Sequence, residues 1–387
     1  MRLALLVALL AAGALLAWRL IAPGGDDSGP NHALHAKPAT LASVFASAHG
    51  GDTILLAPGN YGKFAAGTKS TPVTIRPAPH AAARMSLAFA GVGNVRIEGL
   101  TIDGAEITGP SHDVAIAGST FTKAMVIHAE QMVNAHLVVQ SNRFAHIDVC
   151  PGCFEGRLHI VGESGRPSGI VIRDNVLGPG GNADGIQIGA QGVQVLDNTF
   201  VGIHQAEGPG PHTDALQLYG QSRTVVRGNY FHDVADGIMA PDGGRHEVIE
   251  HNVFDLGGYP YAIMLGGDDG SIVRHNTIAA LGRCAWGVPC GTLLIDKGPA
   301  HNPSRGTVVQ DNILGSLALG DGSTLGTSGH NLIAAGGGGA DDLAGRPAFA
   351  GGAHPASPAG FRLAHKSEGR KAASDGTDVG TGAGAAR

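Results

Sequence analysis

The chain repeats a short pattern that centres on asparagine. In seven segments of the 387-residue sequence, an Asn follows a β-branched residue by three positions and precedes an apolar residue by two. The asparagines of this column are Asn142, Asn175, Asn198, Asn229, Asn252, Asn276 and Asn312. Their separations are 33, 23, 31, 23, 24 and 36 residues. A basic unit of about 23 residues with optional insertions is typical of a solenoid with variable loops.

Each unit is predicted to form one coil of three short strands. One coil cannot bury its apolar face alone, so stacked coils bury β-branched residues on β-branched residues and aromatic rings on aromatic rings. Asn suits the turn after the second strand because it tolerates the left-handed conformation, and its amide can bond the same group in the adjacent coils. Gly99 and Gly118 are assigned to the same column in earlier coils, where Gly meets the same backbone demand.

The N-terminal segment indicates export. Arg2 is followed by sixteen apolar residues, from Leu3 to Trp18, which is long for a secretory signal and short for a full membrane span. Residues 1–22 are therefore a membrane-bound signal anchor or a cleaved signal peptide, and residues 23–39, rich in Gly, Pro, Asp and His, are a flexible tether. Either alternative places the protein in the periplasm or at the cell surface.

Four cysteines in an exported chain favour disulfides. Cys150 and Cys153 lie three positions apart, and Cys284 and Cys290 lie six apart, so both bridges are predicted to be local. Three connectivities remain formally possible. A net charge of −6, with Lys and Arg scattered along the chain, gives no basic patch for nucleic acid.

Acidic residues recur at the start of the predicted first strands. The segments DGIQI, DALQL and DGIMA begin with Asp184, Asp214 and Asp236, and strands in register lie about 4.8 Å apart. Carboxylates at that spacing repel one another, so the row needs a cation such as Ca²⁺, a basic neighbour, or a held proton. The alternative is that each Asp only caps a turn by accepting backbone N–H groups.

Several polar residues near this row are candidates for catalysis or substrate binding. His212 lies two positions before Asp214 and is the first candidate for a general base, because the pKa of histidine is near neutral. Arg245 and Lys297 follow first strands and either neutralise a substrate carboxylate, act as a base, or have a plain surface role. The predicted substrate-binding residues are Gln187, Gln217, His204 and Tyr261, the last replacing Asp in the next coil.

The repeats resemble those of right-handed parallel β-helix proteins, the architecture of pectate lyases, polygalacturonases, chondroitinase B and alginate-modifying enzymes. The segment ATLASVFASAHGGDTILLAPGNYG resembles the opening of these proteins, with a short capping helix before the first strand. The segments GHNLIA and FRLAHKSEGRKAASDGTDVG resemble their degenerate closing part. The resemblance implies an all-β, single-stranded solenoid of about ten coils over residues 40–335, with residues 336–387 as an irregular segment that packs on it or is partly disordered.

The same resemblance implies enzymes that act on acidic polysaccharides. HTDALQ resembles the HVDGALD strand of pectate lyases, which implies β-elimination, with Ca²⁺ on the row of Asp184, Asp214 and Asp236 and with His212 or Lys297 as base. A uronan epimerase would share the proton abstraction. NADGIQ resembles the NTDGID strand of polygalacturonases, which implies an inverting hydrolase. The remaining class is a non-enzymatic carbohydrate-binding or structural surface protein. A monomer is expected.

Overall fold

The protein folds as a right-handed parallel β-helix. The computed structural model describes residues 32–149, 154–162, 166–204, 213–256, 259–279, 284, 287–336 and 338–382. All pairings between the named strands are parallel, and each strand pairs with the corresponding strand of the next coil, which confirms the predicted stacking. The sheet formed by the second strands contains thirteen strands, somewhat more than the predicted number of about ten coils.

The N-terminal end of the solenoid is covered by a short helix, as predicted. The helix spans Leu41–Ser47 and follows a 3-10 turn at Pro38–Thr40. Leu41 and Phe45 are buried, and the Phe45 ring packs edge-on against Phe64 at 5.6 Å. The helix therefore closes the apolar interior of the first coils.

The second strands form the most regular face of the molecule, which we call the second-strand sheet. Its strands are Ala33–Ala36, Thr53–Leu56, Val73–Pro77, Gly93–Glu98, His112–Ala117, Leu137–Gln140, Ile170–Arg173, Gln194–Leu196, Val225–Arg227, Val248–Glu250, Ile272–Arg274, Arg305–Gln310 and Thr324–Gly329. The β-branched residue three positions before each column Asn points inward, because Val139, Ile172, Val195 and their successors are buried.

Two further faces complete each coil, the third-strand sheet after the Asn turn and the first-strand sheet after the following loop. In the early coils one long strand serves both faces: Gly59–Phe64, Ala83–Ala90, Thr101–Thr108 and Thr120–His128. Later third strands are Arg143–Phe144, Val176–Leu177, Thr199–Ile203, Tyr230–Val234, Val253–Asp255, Thr277–Ile278, Ile313–Leu314, Leu332–Ile333 and Leu343–Ala344. Later first strands are Gly156–Val161, Asp184–Ile188, Asp214–Leu218, Asp236–Ala240, Tyr261–Gly266, Thr292–Asp296 and Ser316–Leu319. A 3-10 turn at Ala129–Gln131 follows the last long strand.

The asparagine column forms a continuous hydrogen-bonded ladder, but the left-handed residue is not the Asn. Asn175 Nδ2 donates to Asn198 Oδ1 at 2.9 Å, and the Asn175 backbone N–H donates to the same oxygen at 3.0 Å. Positive φ occurs one position earlier, for example at Asp174 (57°). Gly99 and Gly118 share that earlier position, because Ala117 pairs with Gln140. Their assignment to the Asn column was wrong by one residue.

The C-terminal segment returns along the solenoid. A 3-10 turn at Pro358–Phe361 places the Phe361 ring against Tyr230 and Val253 on the outer side of the third-strand sheet. Further along the chain, the Thr381 backbone N–H donates to Thr277 Oγ1 at 2.8 Å, and its hydroxyl donates to the Asn252 carbonyl at 3.2 Å. The segment therefore covers an outer face that the repeats leave apolar.

The Cys284–Cys290 disulfide is present, as predicted. Cys150 and Cys153 lie outside the described residues, and so do residues 1–31, which contain the predicted signal segment. Within the described part of the chain, no helix has both the length and the apolar character needed to cross a membrane.

Candidate functional site

The three predicted aspartates lie on successive coils of the first-strand sheet. Asp214 pairs in register with Asp236, and the Asp214 backbone N–H donates to Asp184 Oδ1 at 2.9 Å. All three side chains are at most 3% exposed. The three aspartates therefore form a row across successive coils, and their side chains are buried.

A small residue after each Asp turns the carboxyl toward the outer face. A Cβ added to Gly185 would lie 2.8 Å from the Phe200 ring, so Gly185 faces the core, as the buried Ile186 does. Two consecutive inward residues place Asp184 on the same side as Gln187, whose Nε2 donates to Asp184 Oδ2 at 2.7 Å. A Cβ added to Gly237 would likewise lie 2.8 Å from the Phe254 ring. The outer face thus receives both the Asp row and the polar residues beside it.

Burial makes the ionised form of these carboxyls unfavourable. It raises the pKa of Asp184 to about 7 and that of Asp236 to about 8, and the charge of Asp214 adds to both shifts. The pKa of Asp214 rises to about 6 through burial and the charge of Glu155. Asp214 Oδ1 and Asp236 Oδ1 are buried and have no hydrogen-bond partner among the described residues. A held proton is thus the compensation that these surroundings favour.

A chain of hydrogen bonds connects this row to a histidine and a tyrosine. Gln187 Oε1 lies 2.5 Å from His159 Nδ1, and Gln187 Nε2 donates to Gln217 Oε1 at 3.1 Å. The Tyr219 hydroxyl donates to the same Gln217 oxygen at 2.8 Å. His159, Gln187 and Gln217 occupy one register position on three successive first strands. The two glutamines therefore fix the His159 ring relative to Asp184 and Tyr219.

A buried arginine supports the segment that leads into Asp184. Arg157 is fully buried, and its guanidinium donates to the carbonyls of Gly180 and Ala183 and, at 3.2 Å, to that of Asp184. Burial lowers the pKa of Arg157 to about 10. Its hydrogen bonds go to backbone carbonyls, so Arg157 holds the loop before the first strand in place.

The remaining predicted site residues are more dispersed. Lys297 is exposed and follows the strand Thr292–Asp296, two coils beyond Asp236 and at the opposite end of the strand. Arg245 is exposed in the turn after the strand that Asp236 begins, and it pairs with Ser222 and Asp269.

The last three predicted site residues lie in different parts of the chain. Tyr261 is half-buried at the start of the next first strand, as expected from its position in the repeat. His204 is exposed at the end of a third strand, with its Nε2 3.2 Å from Asp233 Oδ1. His212 lies outside the described residues.

The predicted calcium site does not fit the arrangement of these carboxyls. Both oxygens of Asp184 already accept hydrogen bonds, from the Asp214 backbone and from Gln187. Across the described ranges, no group of three or more His, Cys, Asp or Glu side chains is arranged to hold a metal ion. The reaction proposed below therefore uses only side chains of this chain.

The sequence interpretation missed the coil that precedes the Asp row. Phe154, Glu155, Arg157 and His159 belong to it, and its first strand begins with Gly156, where the next coil has Asp184. The signal was present as an alignment, because GRLHIV and DGIQIG place His159 and Gln187 at the same position. The missing Asp concealed the relationship between the two segments.

Comparisons with known proteins support the architecture. No protein-family model matches the sequence, and no curated protein matches it. Among solved structures, the PL6 family alginate lyase AlyGC is 15% identical with a TM-score of 0.57, and the match covers 90% of this chain and 59% of that one. A PL6 family polysaccharide lyase from Pseudopedobacter saltans is 15% identical with a TM-score of 0.55, covering 78% and 84%. The chain has the fold of these polysaccharide lyases. It spans about 59% of the length of the alginate lyase.

Proposed function

We propose that the protein is an exported polysaccharide lyase that cleaves a uronate-containing polysaccharide by β-elimination. The observation that carries the proposal is the His159–Gln187–Asp184 hydrogen-bonded chain, which lies beside a row of buried carboxyls on the outer face of the solenoid. The likeness in fold to PL6 lyases supports the same reaction class.

His159 is the base in this proposal. Gln187 Nε2 is already a donor to Asp184 and Gln217, so Gln187 presents its oxygen to His159, and His159 Nδ1 carries the proton. The other ring nitrogen, Nε2, then has a free lone pair. Burial lowers the pKa of His159, so the ring is neutral at neutral pH. A neutral, oriented imidazole can take the proton that lies α to a uronate carboxylate.

A neighbouring tyrosine supplies the acid that elimination needs. Burial and the charge of Asp184 raise the pKa of the Tyr219 hydroxyl, which therefore retains its proton. As His159 takes the α proton, the C4–O4 bond breaks, a C4=C5 double bond forms, and Tyr219 protonates the leaving oxygen.

The cellular setting of the proposal rests on the sequence. The apolar run from Leu3 to Trp18 exports the chain, and residues 1–22 either anchor it in the membrane or are removed. The disulfide Cys284–Cys290 agrees with an oxidising compartment. The partner is an acidic polysaccharide, and the protein acts as a monomer.

An assay of unsaturated products tests the proposal. The protein is incubated with alginate, polygalacturonate and a heteropolymer of glucuronate and neutral hexoses, with and without EDTA, and ultraviolet absorbance is followed. We expect absorbance to rise with wild type, and the rate of this rise to be at least about a hundredfold lower for His159→Gln. His232→Gln is the matched control, because His232 Nδ1 also makes a side-chain hydrogen bond, to Asp255, but His232 lies on the third-strand sheet.

The same assay has outcomes that contradict the proposal. Equal rates for His159→Gln and wild type would remove His159 as base. Loss of activity in EDTA would show that the reaction needs a bound cation, and the loops around the Asp row would then have to rearrange to hold it. New reducing ends without ultraviolet absorbance would replace the lyase by a hydrolase.

A hydrolase is the second candidate, and one observation favours it. Asp214 and Asp236 are in register on adjacent coils, and burial separates the pKa values of the two groups, to about 6 and about 8. One carboxylate and one protonated carboxyl are the groups that glycoside hydrolysis needs. Adjacent strands are about 4.8 Å apart, close to the retaining separation, whereas Asp184 and Asp236 are roughly 9.6 Å apart, near the inverting one. Asp214→Asn would abolish such an activity.

A further inference from the structure

Two exposed aromatic rings flank the proposed base. Phe154 is 43% exposed and Tyr219 is 38% exposed. The Phe154 ring lies 4.4 Å from the His159 ring, and the Tyr219 ring lies 6.5 Å from it on the other side. Beyond Phe154, the His128 ring follows at 6.0 Å. We call these four residues the aromatic strip.

Packing does not account for the strip. A single exposed apolar residue is ordinary on a protein surface, but two exposed rings that contact the same polar side chain form a continuous feature. The strip extends over four coils, because His128 and His159 belong to adjacent paired strands and Tyr219 directly follows the strand Asp214–Leu218, two coils beyond His159. It therefore runs along the axis of the solenoid and reaches the coil of Asp214.

The surroundings of His128 distinguish the Phe154 end of the strip from the Asp row. His128 Nε2 lies 3.5 Å from Glu106 Oε1, and His128 Nδ1 lies 3.7 Å from Glu130 Oε1. Both glutamates are about half exposed or more, with side-chain exposures of 60% and 46%. Carboxylates accept hydrogen bonds from sugar hydroxyls but repel a sugar carboxylate.

We infer that Phe154 is a stacking platform for a neutral pyranose, located next to the uronate that His159 deprotonates. The inference rests on the proposed function and names its substrate class, a heteropolymer in which a neutral hexose adjoins the uronate. The face of an aromatic ring carries partial negative charge and attracts the polarised C–H bonds of one sugar face. Glu106 and Glu130 accept hydrogen bonds from the hydroxyls of that sugar, and their charge excludes a second uronate from this position.

Binding measurements on the whole chain test the inference independently of turnover. Affinity electrophoresis compares a heteropolymer in which glucuronate alternates with neutral hexose with polygalacturonate, a homopolymer of uronate. We expect Phe154→Ala to weaken heteropolymer binding about fivefold to tenfold, and Phe154→Tyr to stay within about twofold of wild type. Leu343→Ala is the matched control, because Leu343 is 38% exposed but lies in the C-terminal segment. Glu130→Gln is expected to strengthen binding of the homopolymer.

The outcomes separate this inference from the proposed function. Weaker binding by Phe154→Ala without any unsaturated product would support the platform and remove the lyase. Unsaturated product together with unchanged heteropolymer binding by Phe154→Ala would support the lyase and overturn the platform. Equal wild-type affinity for the two polymers, or no binding to either, would also overturn the inference. Circular dichroism of each variant confirms that it is folded.

Discussion

The Asn column and the Asp row are both buried polar ladders that repeat from coil to coil, yet their hydrogen bonding differs. Asn276 Nδ2 donates to Asn312 Oδ1 at 3.0 Å and to the Ile249 carbonyl at 2.9 Å, while its own oxygen accepts from Asn252. In the Asp row, the oxygens of Asp214 and Asp236 named above have no partner among the described residues. The first ladder is complete, and the second is not.

The difference follows from the chemistry of the two side chains. A carboxamide carries a donor and an acceptor, so identical amides can stack indefinitely, with every polar atom satisfied. An ionised carboxylate only accepts, so stacked carboxylates need a cation, a basic neighbour or held protons, and the raised pKa values of Asp184 and Asp236 favour held protons. A column built for stability therefore uses Asn. A row that keeps carboxyls buried and unsatisfied costs stability, as functional sites commonly do.

The largest effect that tests this comparison is expected in the Asn column. Asn252→Ala removes the acceptor of the Asn229 backbone N–H and the donor to the Val226 carbonyl, both buried. We expect the free energy of unfolding to fall by about 2–4 kcal/mol, measured by urea denaturation. Asn60→Ala is the control, because Asn60 is exposed and accepts only from Gly62. An equal loss of unfolding free energy in both variants would show that the ladder contributes no more to stability than an exposed turn residue does.

An intermediate effect with the opposite sign is expected in the Asp row. The pKa of Asp236 is raised from 3.8 to about 8, so the folded state holds a proton that the unfolded state releases. The stability of wild type should therefore fall as pH rises from about 4 to about 8. Asp236→Asn removes this dependence and should raise the free energy of unfolding at pH 9 by about 2 kcal/mol.

Denaturation of wild type and variant at pH 5 and pH 9 measures the effect. Asp233→Asn is the control, because the side chain of Asp233 is 58% exposed. An identical pH slope in wild type and Asp236→Asn would contradict the buried, protonated state of Asp236.

The smallest effect should come from Asp184. Both of its oxygens accept hydrogen bonds, so it is the member of the acidic row that most resembles the Asn column. Asp184→Asn keeps an oxygen for the Asp214 backbone and loses one hydrogen bond to Gln187, while it removes a buried charge. We expect the free energy of unfolding at pH 7 to change by less than about 1 kcal/mol. A loss above about 2 kcal/mol would show that the ionised form is structurally required.

The fold could be predicted from the sequence because each coil repeats the same local demands. Val195, Asn198 and Phe200 recur at fixed offsets, and the structure stacks Phe200 on Phe231 at 4.6 Å. The Asp row could be predicted for the same reason. The left-handed position before each Asn could not be predicted, because the residues at that position, such as Asp174 and His251, are of different types.

The site around the row could not be predicted as fully. The inward placement of Gly185, which turns Asp184 outward, depends on packing against Phe200 in three dimensions. His159 stands alone at a position that holds glutamine in the next two coils, so no repetition identified it. Repetition reveals the scaffold, whereas the residues proposed for chemistry are departures from the repeat.

The returning C-terminal segment has a consequence for how the solenoid melts. In a simple solenoid each coil contacts only its neighbours, so coils can fray one at a time from an end. Here Thr381 is bonded to Thr277 and Asn252, while Phe361 contacts Tyr230. These contacts connect three consecutive coils through one segment, so the coils that contain Tyr230, Asn252 and Thr277 should lose their structure as one cooperative block, with matching hydrogen-exchange protection.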